Sequence, residues 1–453
     1  VLLSLGVVIF SSHIYCIILY NASLNLLHVD MFAAILVTNL AEVVEYIKTY
    51  FDVKKVVVVA VFVVLLLSLF FMMRNKAIKF NIVSQTILFF MIMLSGYVVV
   101  NNFDAVINLN LYKVFHNSVP DLRDYRQSPE VVTHGERPDY VVLLIGESFT
   151  KTHSSLYGYE KETNPMLGKM LQDSVLAVFD KACSYATHTT PSIKSLMSSY
   201  TNDYADSIRW YECLNIIDVM KSAGFETWWL SNQSKKGIAD NEVGRYADLC
   251  DRNLFVGDIY AGTNRSSVDE ELLPFVNECL LDDTQNKFVV VHMMGSHPQY
   301  VARYPKAFSG FMPQDYDKSH PQLTLDNRKI VSEYDNSILY NDSVVYEIMQ
   351  RFYNETAVLI YLSDHGEDIF DSSNDYAGHA KVNNPVSRKA GVEVPLMVYT
   401  TPLFREKHPQ LQERIERSVS TPYRTDSIMY TIMDVAGVET VNGVSYKHKS
   451  LFR

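Results

Sequence analysis

The chain has 453 residues, which is long enough for two or three domains. Its formal net charge of −11 argues against nucleic acid as a general partner. The hydrophobic content of 48% is ordinary, but the apolar residues are concentrated in the first hundred positions. We therefore expect an apolar amino-terminal region followed by a more polar globular part.

Five cysteines are present and none belongs to a CxxC pair, so a thiolate zinc cluster is not expected. Cys16 lies in an apolar run. The other four cysteines could form up to two disulfides in an oxidising compartment, or they could be buried free thiols. Their spacing leaves both alternatives open: Cys183, Cys213, Cys250 and Cys279.

Three apolar segments are predicted to span a membrane, because each approaches the roughly 20 residues needed to cross about 30 Å of hydrocarbon. They cover residues 1–20, 56–73 and 82–100, and the alternative for each is a buried core helix. The chain begins with Val1 and runs directly into the first apolar segment, so we expect a fragment that lacks its natural start.

The loop at residues 74–79 carries three cations and favours the cytoplasm by the positive-inside rule. Everything after about residue 101 would then lie on the opposite side, which is periplasmic or otherwise external. Lys54 and Lys55 lie at the outer end of the second span and weaken this orientation, although long cationic side chains can snorkel.

Residues 31–51 mix apolar and charged side chains, with Asn39 and Glu42 spaced as in a capping box. This pattern predicts a helix lying at the membrane surface, and an ordinary surface helix is the alternative. Residues 101–138 are polar and irregular, and we interpret them as a linker.

From residue 139 to 453 the pattern predicts an α/β domain, because short apolar runs alternate with helical patterns such as residues 326–352. Such alternation implies a mainly parallel sheet flanked by helices. The predicted strands are residues 141–145, 227–230, 288–294, 358–362 and 394–399.

Two of these predicted strands end in possible metal ligands. Glu147 follows the first strand, and Asp364 and His365 follow the fourth. Ligand-type side chains at the carboxyl ends of buried strands are typical of an open α/β active site. Carboxylate and imidazole together suit zinc or manganese better than calcium. For Glu147 alone, a residue at the start of a helix is the alternative.

A threonine-rich element at residues 186–197 contains a helix-start pattern, with Thr189 or Thr190 as N-cap and Pro191 as the first helical residue. A hydroxyl there faces the positive end of the helix dipole, where a phosphate would bind. A metal that touched the hydroxyl would lower its pKa and make it a nucleophile. The alternative is an ordinary threonine cap.

Three further side chains could contact a phosphate or metal. His297 follows another predicted strand, His379 lies shortly after Asp364-His365, and Lys236 lies in a polar loop. Each has a simpler interpretation as a surface or packing residue.

Taken together, the motifs resemble the phosphoethanolamine transferases of Gram-negative bacteria, which are membrane-anchored members of the alkaline phosphatase and sulfatase superfamily. The resemblance extends from about residue 30 to the end. It is carried by Gly146-Glu147-Ser148, Tyr157-Gly158-Tyr159, Glu162-Thr163-Asn164-Pro165, the Thr187-His188-Thr189 element, Met293-Met294-Gly295-Ser296-His297 and Ser363-Asp364-His365-Gly366-Glu367.

The resemblance implies zinc held by Glu147, Thr189, Asp364 and His365, with one ion expected and a second possible. Thr189 would attack the phosphate of phosphatidylethanolamine and release diacylglycerol. The phosphoethanolamine group would then pass from Thr189 to a lipopolysaccharide core sugar, lipid A or another envelope glycan.

The resemblance also implies the surroundings of this site. The residues around the substrate would be His297, His379, Lys236, Glu367 and, near the entrance for the lipid donor, Asn39. The protein would be a monomer of the bacterial inner membrane that crosses it several times, with its catalytic domain in the periplasm.

The chain departs from the family pattern in three places. The family usually has five spans, so two would be missing here. Tyr185 and Ser195 stand where lipid A-modifying members often carry cysteines, which favours core sugars or other glycans as acceptors. Residues 368–376, before His379, are longer and more acidic than usual.

Three other functions remain to be compared with this one. The nearest alternative is a sulfatase or phosphodiesterase of the same fold. Sulfatases normally carry a C/S-x-P-x-R motif, and no such motif is expected here, because the threonine element takes its place. A glycerophosphate transferase like the lipoteichoic acid synthases also uses a threonine and a membrane anchor, but the segments around Asn39 and His297 argue against it. An inactive membrane scaffold is disfavoured because every proposed ligand is chemically competent.

Overall fold

The computed structural model describes residues 121–201, 208–235, 242–259, 267–284, 286–381, 384–441 and 447–453. The three predicted spans, the predicted surface helix with Asn39, and Lys236 lie outside these residues. Within the described residues, no helix is both long and apolar enough to cross a membrane.

The described residues contain thirteen strands. They are β1 Val131–Thr133, β2 Tyr140–Gly146, β3 Leu176–Val178, β4 Ala182–Cys183, β5 Glu226–Ser231, β6 Arg252–Phe255, β7 Lys287–His292, β8 Ala357–Ser363, β9 Asp368–Ile369, β10 Ala377–Gly378, β11 Leu396–Thr400, β12 Tyr423–Arg424 and β13 Val438–Thr440.

The same residues contain eleven α-helices. They are α1 Pro165–Gln172, α2 Thr189–Met197, α3 Ile216–Ser222, α4 Glu242–Ala247, α5 Val256–Ile259, α6 Leu273–Leu281, α7 Leu325–Arg351, α8 Pro385–Val392, α9 Pro402–Lys407, α10 Pro409–Arg417 and α11 Ile428–Val435.

Seven of the strands form one central sheet in the order β3-β11-β8-β2-β7-β5-β6. The pairs from β8 to β6 are parallel, whereas β11 runs antiparallel to both of its neighbours. The prediction of a mainly parallel sheet is therefore confirmed. Since β2 lies between β8 and β7, the residues that follow these three strands meet at the same edge of the sheet.

Helices pack on both faces of this sheet, as the fully buried strands require. Along β2, Val141 and Leu143 belong to one hydrophobic core, and Val142 and Leu144 belong to the other. The first core also contains residues of α3 and α11, and the second contains residues of α6 and α7. This alternation follows from the two-residue period of a strand.

The five predicted strands are all present, and the sheet strands differ from the predicted ranges by only one or two residues at each end. The predicted helix 326–352 corresponds to α7, which covers Leu325–Arg351. Thr324 begins it by accepting a hydrogen bond from the Asn327 amide at 3.1 Å. The four cysteines that the structure describes are free thiols, so the alternative of disulfides among them is wrong.

Part of the predicted linker is attached to the domain. Residues 131–133 form β1, which pairs with β13 in antiparallel register, with Val132 opposite Glu439. The segment Val-Val-Thr favours a strand, but three residues are too few to indicate a pairing with a segment so distant in the sequence.

Candidate active site

The ends of two neighbouring strands bring the predicted metal ligands together. Strands β2 and β8 are parallel and pair up to Gly146 opposite Ser363. Glu147 and Asp364 are the next residues on each strand, so the register itself makes them neighbours. His365 follows directly, and all three side chains are buried.

The three side chains form one compact cluster. One ligand atom from each of Glu147, Asp364 and His365 lies within 4.8 Å of the others. His365 Nε2 lies 3.0 Å from Glu147 Oε1 and 3.7 Å from Asp364 Oδ2. His365 Nδ1 is 2.8 Å from the carbonyl oxygen of Gly366, which orients the ring so that Nε2 faces the carboxylates.

Burial and the charges of neighbouring groups shift the pKa values of all three side chains in the cluster. Burial opposes ionisation of Glu147, but the charge of His365 outweighs it and holds the Glu147 pKa well below its usual range. Burial and the neighbouring charge of Glu147 raise the pKa of Asp364 to about 8. Burial disfavours protonated His365, but Asp364 and Glu147 outweigh it and raise its pKa to about 10.

This cluster fits a divalent metal ion. Asp364 Oδ2 is buried and has no hydrogen-bond partner among the described residues. A buried carboxylate oxygen without a partner is costly unless a cation binds it. Two carboxylates and one imidazole are a donor set that suits zinc.

Thr189 completes the cluster from a helix on another part of the chain. Its Oγ1 donates a hydrogen bond to Glu147 Oε2 at 3.1 Å and lies 3.3 Å from His365 Nε2. The predicted helix start differs in detail, because α2 begins at Thr189 and His188 is its N-cap. The Thr189 hydroxyl donates its hydrogen bond to Glu147 and does not cap its own helix.

A second group of side chains lies beside the first. The His379 ring stands edge-on to the ring of His365, with centroids 4.9 Å apart, and edge-on to that of His297 at 6.3 Å. Burial lowers the pKa of His297 to about 4, so this imidazole is neutral at physiological pH. The ring of His188, which had no predicted role, lies 5.3 Å from that of His379.

Glu367 contacts His379 directly in this group. Its Oε2 is 2.8 Å from His379 Nδ1, and its Oε1 accepts a hydrogen bond from the Tyr300 hydroxyl at 3.0 Å. Glu367 is fully buried. Both carboxylate oxygens are therefore hydrogen-bonded to side chains of the protein, and the contact with Glu367 orients the ring of His379.

Several supporting residues were missed in the sequence. Gln233 Nε2 donates to Glu147 Oε2 at 3.2 Å, and its position just after β5 could have indicated it by the same strand-end rule. Asp269 accepts hydrogen bonds from the amides of Met294 and Gly295 at 2.8 and 2.9 Å. Nothing near Asp269 in the sequence indicates this contact, because it joins two distant loops.

One sequence pattern needs correction. The C/S-x-P-x-R pattern of sulfatases does occur in the chain, at residues 420–424. Ser420 there is exposed, and Tyr423 and Arg424 form β12 beside β4. Thr189, in contrast, contacts the buried side chains of Glu147 and His365.

Comparison with known proteins shows the family to which the chain belongs. Residues 139–438 match the Sulfatase family, and since this is well over half of the chain, the chain belongs to that family. Among curated proteins it resembles the phosphoethanolamine transferase EptC of Escherichia coli strain K12, with 26% identity over 71% of this chain and 54% of that protein. It also resembles the phosphoethanolamine transferase EptA of Helicobacter pylori strain ATCC 700392 / 26695, with 30% identity over 65% and 53%.

The chain spans about half the length of these curated relatives. Among solved structures, it resembles the C-terminal periplasmic domain of EptC from Escherichia coli in complex with Zn. The TM-score is 0.64 at 25% identity, and the match covers 72% of this chain and 89% of that one.

Proposed function

We propose that the chain transfers phosphoethanolamine from phosphatidylethanolamine to an envelope acceptor, through a covalent intermediate on Thr189 at a zinc site. The observation that carries the proposal is the Thr189 hydroxyl, 3.1 Å from Glu147 Oε2 in a buried cluster where Asp364 Oδ2 accepts no hydrogen bond from the described residues. The names of the relatives supply the group that is transferred.

Glu147, Asp364, His365 and Thr189 would hold the ion, and the complex of the Escherichia coli EptC domain with Zn supports zinc as its identity. When bound, zinc supplies positive charge that lowers the pKa of the threonine hydroxyl and stabilises the charge that develops on the phosphoryl oxygens. We propose one ion in this cluster, and the alternative is a second ion held by His365, Glu367 and His379, whose ligand atoms also lie within 4.8 Å of one another.

The transfer proceeds in two displacements. The Thr189 oxygen forms a bond to phosphorus, the bond from phosphorus to the diacylglycerol oxygen breaks, and the proton lost from the Thr189 hydroxyl leaves on diacylglycerol. An acceptor hydroxyl or phosphate oxygen then attacks the same phosphorus, the bond to Thr189 breaks, and the Thr189 oxygen takes up the proton that the acceptor loses. Covalent catalysis of this kind divides one difficult transfer into two easier ones.

The remaining side chains orient the phosphoryl group. Glu147 Oε2 accepts the hydrogen bond of the Thr189 hydroxyl and fixes the rotamer of the nucleophile. The rings of His297 and His379 lie beside that of His365, and in this proposal they donate hydrogen bonds to the phosphoryl oxygens. Fixed donors at the site of developing charge are a principal source of catalysis in such sites.

The acceptor is a lipopolysaccharide core sugar, lipid A or another envelope glycan, with core sugars or other glycans favoured. The three predicted spans support a lipid donor. In this proposal the protein crosses the bacterial inner membrane several times and has its catalytic domain in the periplasm. Asn39 and Lys236, in this proposal, contact the donor and its phosphate, and the protein acts as a monomer.

The assay uses the purified full chain and a phosphatidylethanolamine with a fluorescent acyl chain. We expect release of fluorescent diacylglycerol by the wild-type chain and loss of it in Thr189→Ala, whereas Thr190→Ala keeps the activity. Full activity of Thr189→Ala would overturn the assignment of the nucleophile. Mass spectrometry of envelope glycolipids, with and without the protein, identifies the acceptor by its added phosphoethanolamine.

A further inference from the structure

We propose that Tyr334 is a positioning residue, which holds the two carboxylates of the metal site in place through the backbone of Ser148. The inference rests on the zinc site of the proposed function. It assigns a role to a helix residue that is far from the cluster in sequence and whose hydroxyl contacts backbone atoms of Ser148 and Thr150.

Ser148 connects the two carboxylates. Its Oγ donates a hydrogen bond to Glu147 Oε1 at 2.8 Å, and its amide is 3.4 Å from Asp364 Oδ1. The residue has a φ of 57°. A non-glycine residue adopts this left-handed conformation only where the surrounding contacts hold it.

Tyr334 provides such a contact on both sides of the turn. Its hydroxyl donates to the Ser148 carbonyl at 2.7 Å and accepts from the Thr150 amide at 3.0 Å. Burial raises the pKa of Tyr334 well above its ordinary value, so the phenol stays protonated and remains a donor. One hydroxyl thus bridges the residues before and after Phe149.

The Tyr334 ring is itself held in a fixed position. It stands edge-on to the rings of His153 and Tyr300, at 5.2 and 5.0 Å. The next residue, Asp335, lies 2.6 Å from His153 Nδ1 and accepts a hydrogen bond from the Tyr159 hydroxyl at 2.8 Å. These contacts set the position of α7 against the turn.

The contact between the rings of Tyr334 and Tyr300 also connects Tyr334 to the residues proposed to surround the phosphoryl group. Tyr300, which packs against Tyr334, donates to Glu367, and Glu367 contacts His379. Tyr334 therefore contacts residues behind both groups of side chains. Its hydroxyl contacts Ser148, next to Glu147, and its ring contacts Tyr300, which donates to Glu367.

The test is Tyr334→Phe, which removes one oxygen and keeps the ring. Zinc affinity of the purified full chain is measured by competition with a chromogenic chelator, and thermal unfolding is measured on the metal-free protein. The matched control is Tyr423→Phe, another buried tyrosine, whose hydroxyl lies 2.7 Å from Thr431 Oγ1. Zinc titrations are made well below every unfolding transition.

We expect zinc to bind Tyr334→Phe at least about tenfold more weakly than the wild type, since partners behind metal ligands typically contribute about 10- to 100-fold. Tyr423→Phe should bind zinc as the wild type does, and the two variants should have similar unfolding temperatures. Wild-type zinc affinity in Tyr334→Phe, or an equal loss in Tyr423→Phe, would overturn the inference. A wild-type chain that binds no zinc would instead remove the metal from the proposed function.

A double-mutant comparison tests the route through Ser148. Glycine tolerates a φ of 57° without strain, so the turn depends less on Tyr334 in a Ser148→Gly background. Tyr334→Phe should therefore cost less zinc affinity there than in the wild-type chain. Equal losses in both backgrounds would show that Tyr334 does not act through Ser148.

Discussion

The proton content of the buried cluster controls how it binds a cation. Glu147 is ionised, whereas the pKa values of Asp364 and His365 are raised to about 8 and about 10, so the metal-free cluster holds at least one proton at neutral pH. Zinc binds the deprotonated forms of both side chains. Metal binding must therefore displace protons.

We accordingly predict that the apparent affinity for zinc rises with pH between 6 and 8. Each displaced proton contributes about a tenfold increase per pH unit. The slope should decrease above about pH 8, because Asp364 is then ionised before the metal arrives. Chelator competition at a series of pH values measures the slope, and a constant affinity from pH 6 to 8 would contradict the assignment.

The hydrogen bonds of Glu367 predict a different result for that residue. Because Glu367 contacts His379 and Tyr300, Glu367→Gln should retain one zinc per chain but lower kcat by about 10- to 100-fold. Elemental analysis and the fluorescent lipid assay measure the two quantities on the same sample. Loss of a zinc equivalent in the variant would mean that Glu367 is a metal ligand.

At the scale of elements, the turn after β7 supports Glu147 from the side. Gly295 has a φ of 51°, and a Cβ added there would lie 2.7 Å from both the N and O atoms of Glu147. The Ser296 amide also donates to the Glu147 carbonyl at 2.9 Å. Residue 295 therefore lies too close to the backbone of Glu147, a proposed metal ligand, to carry a side chain without a shift.

We predict that Gly295→Ala lowers both the unfolding temperature and the zinc content, because the backbone of Glu147 must shift. The control is Gly158→Ala, where φ is 94° but no atom lies within 4 Å of an added Cβ. That control should lose only about 1–2 kcal/mol of stability, from the left-handed conformation alone, and should keep its zinc. Equal zinc content in the two variants would argue against a tight contact at Gly295.

Much of the sheet could be predicted from the sequence, and the reason is physical. Strands β2 and β8 are buried on both faces, so their apolar runs are continuous and end abruptly at Glu147 and Asp364. Thr189 could be identified as well, from a helix-start pattern and a family resemblance. The contribution of Tyr334 could not, because its hydroxyl contacts backbone atoms 184 and 186 residues away.

At the scale of the whole molecule, the account requires a catalytic domain that can reach a lipid. The three predicted spans and the cationic loop at residues 74–79 imply that this loop is cytoplasmic and that the catalytic domain lies across the membrane. This organisation is a prediction from the sequence, and in the proposed function it would let one site use a membrane phospholipid and an envelope glycan.

The predicted orientation can be tested in spheroplasts. Protease added outside should remove a tag placed after residue 453 without lysis, whereas a tag inserted between residues 74 and 79 should stay protected. Protection of the carboxyl-terminal tag until lysis would place the catalytic domain in the cytoplasm. That outcome would separate the enzyme from any envelope acceptor.

The central claim is that Thr189 carries the transferred group. The most direct measurement is peptide-level mass spectrometry of the full chain after incubation with phosphatidylethanolamine in the absence of an acceptor. The account predicts phosphoethanolamine on the peptide that contains Thr189, and none on that peptide in Thr189→Ala. Phosphoethanolamine on a different residue, or release of diacylglycerol by Thr189→Ala at the wild-type rate, would contradict it.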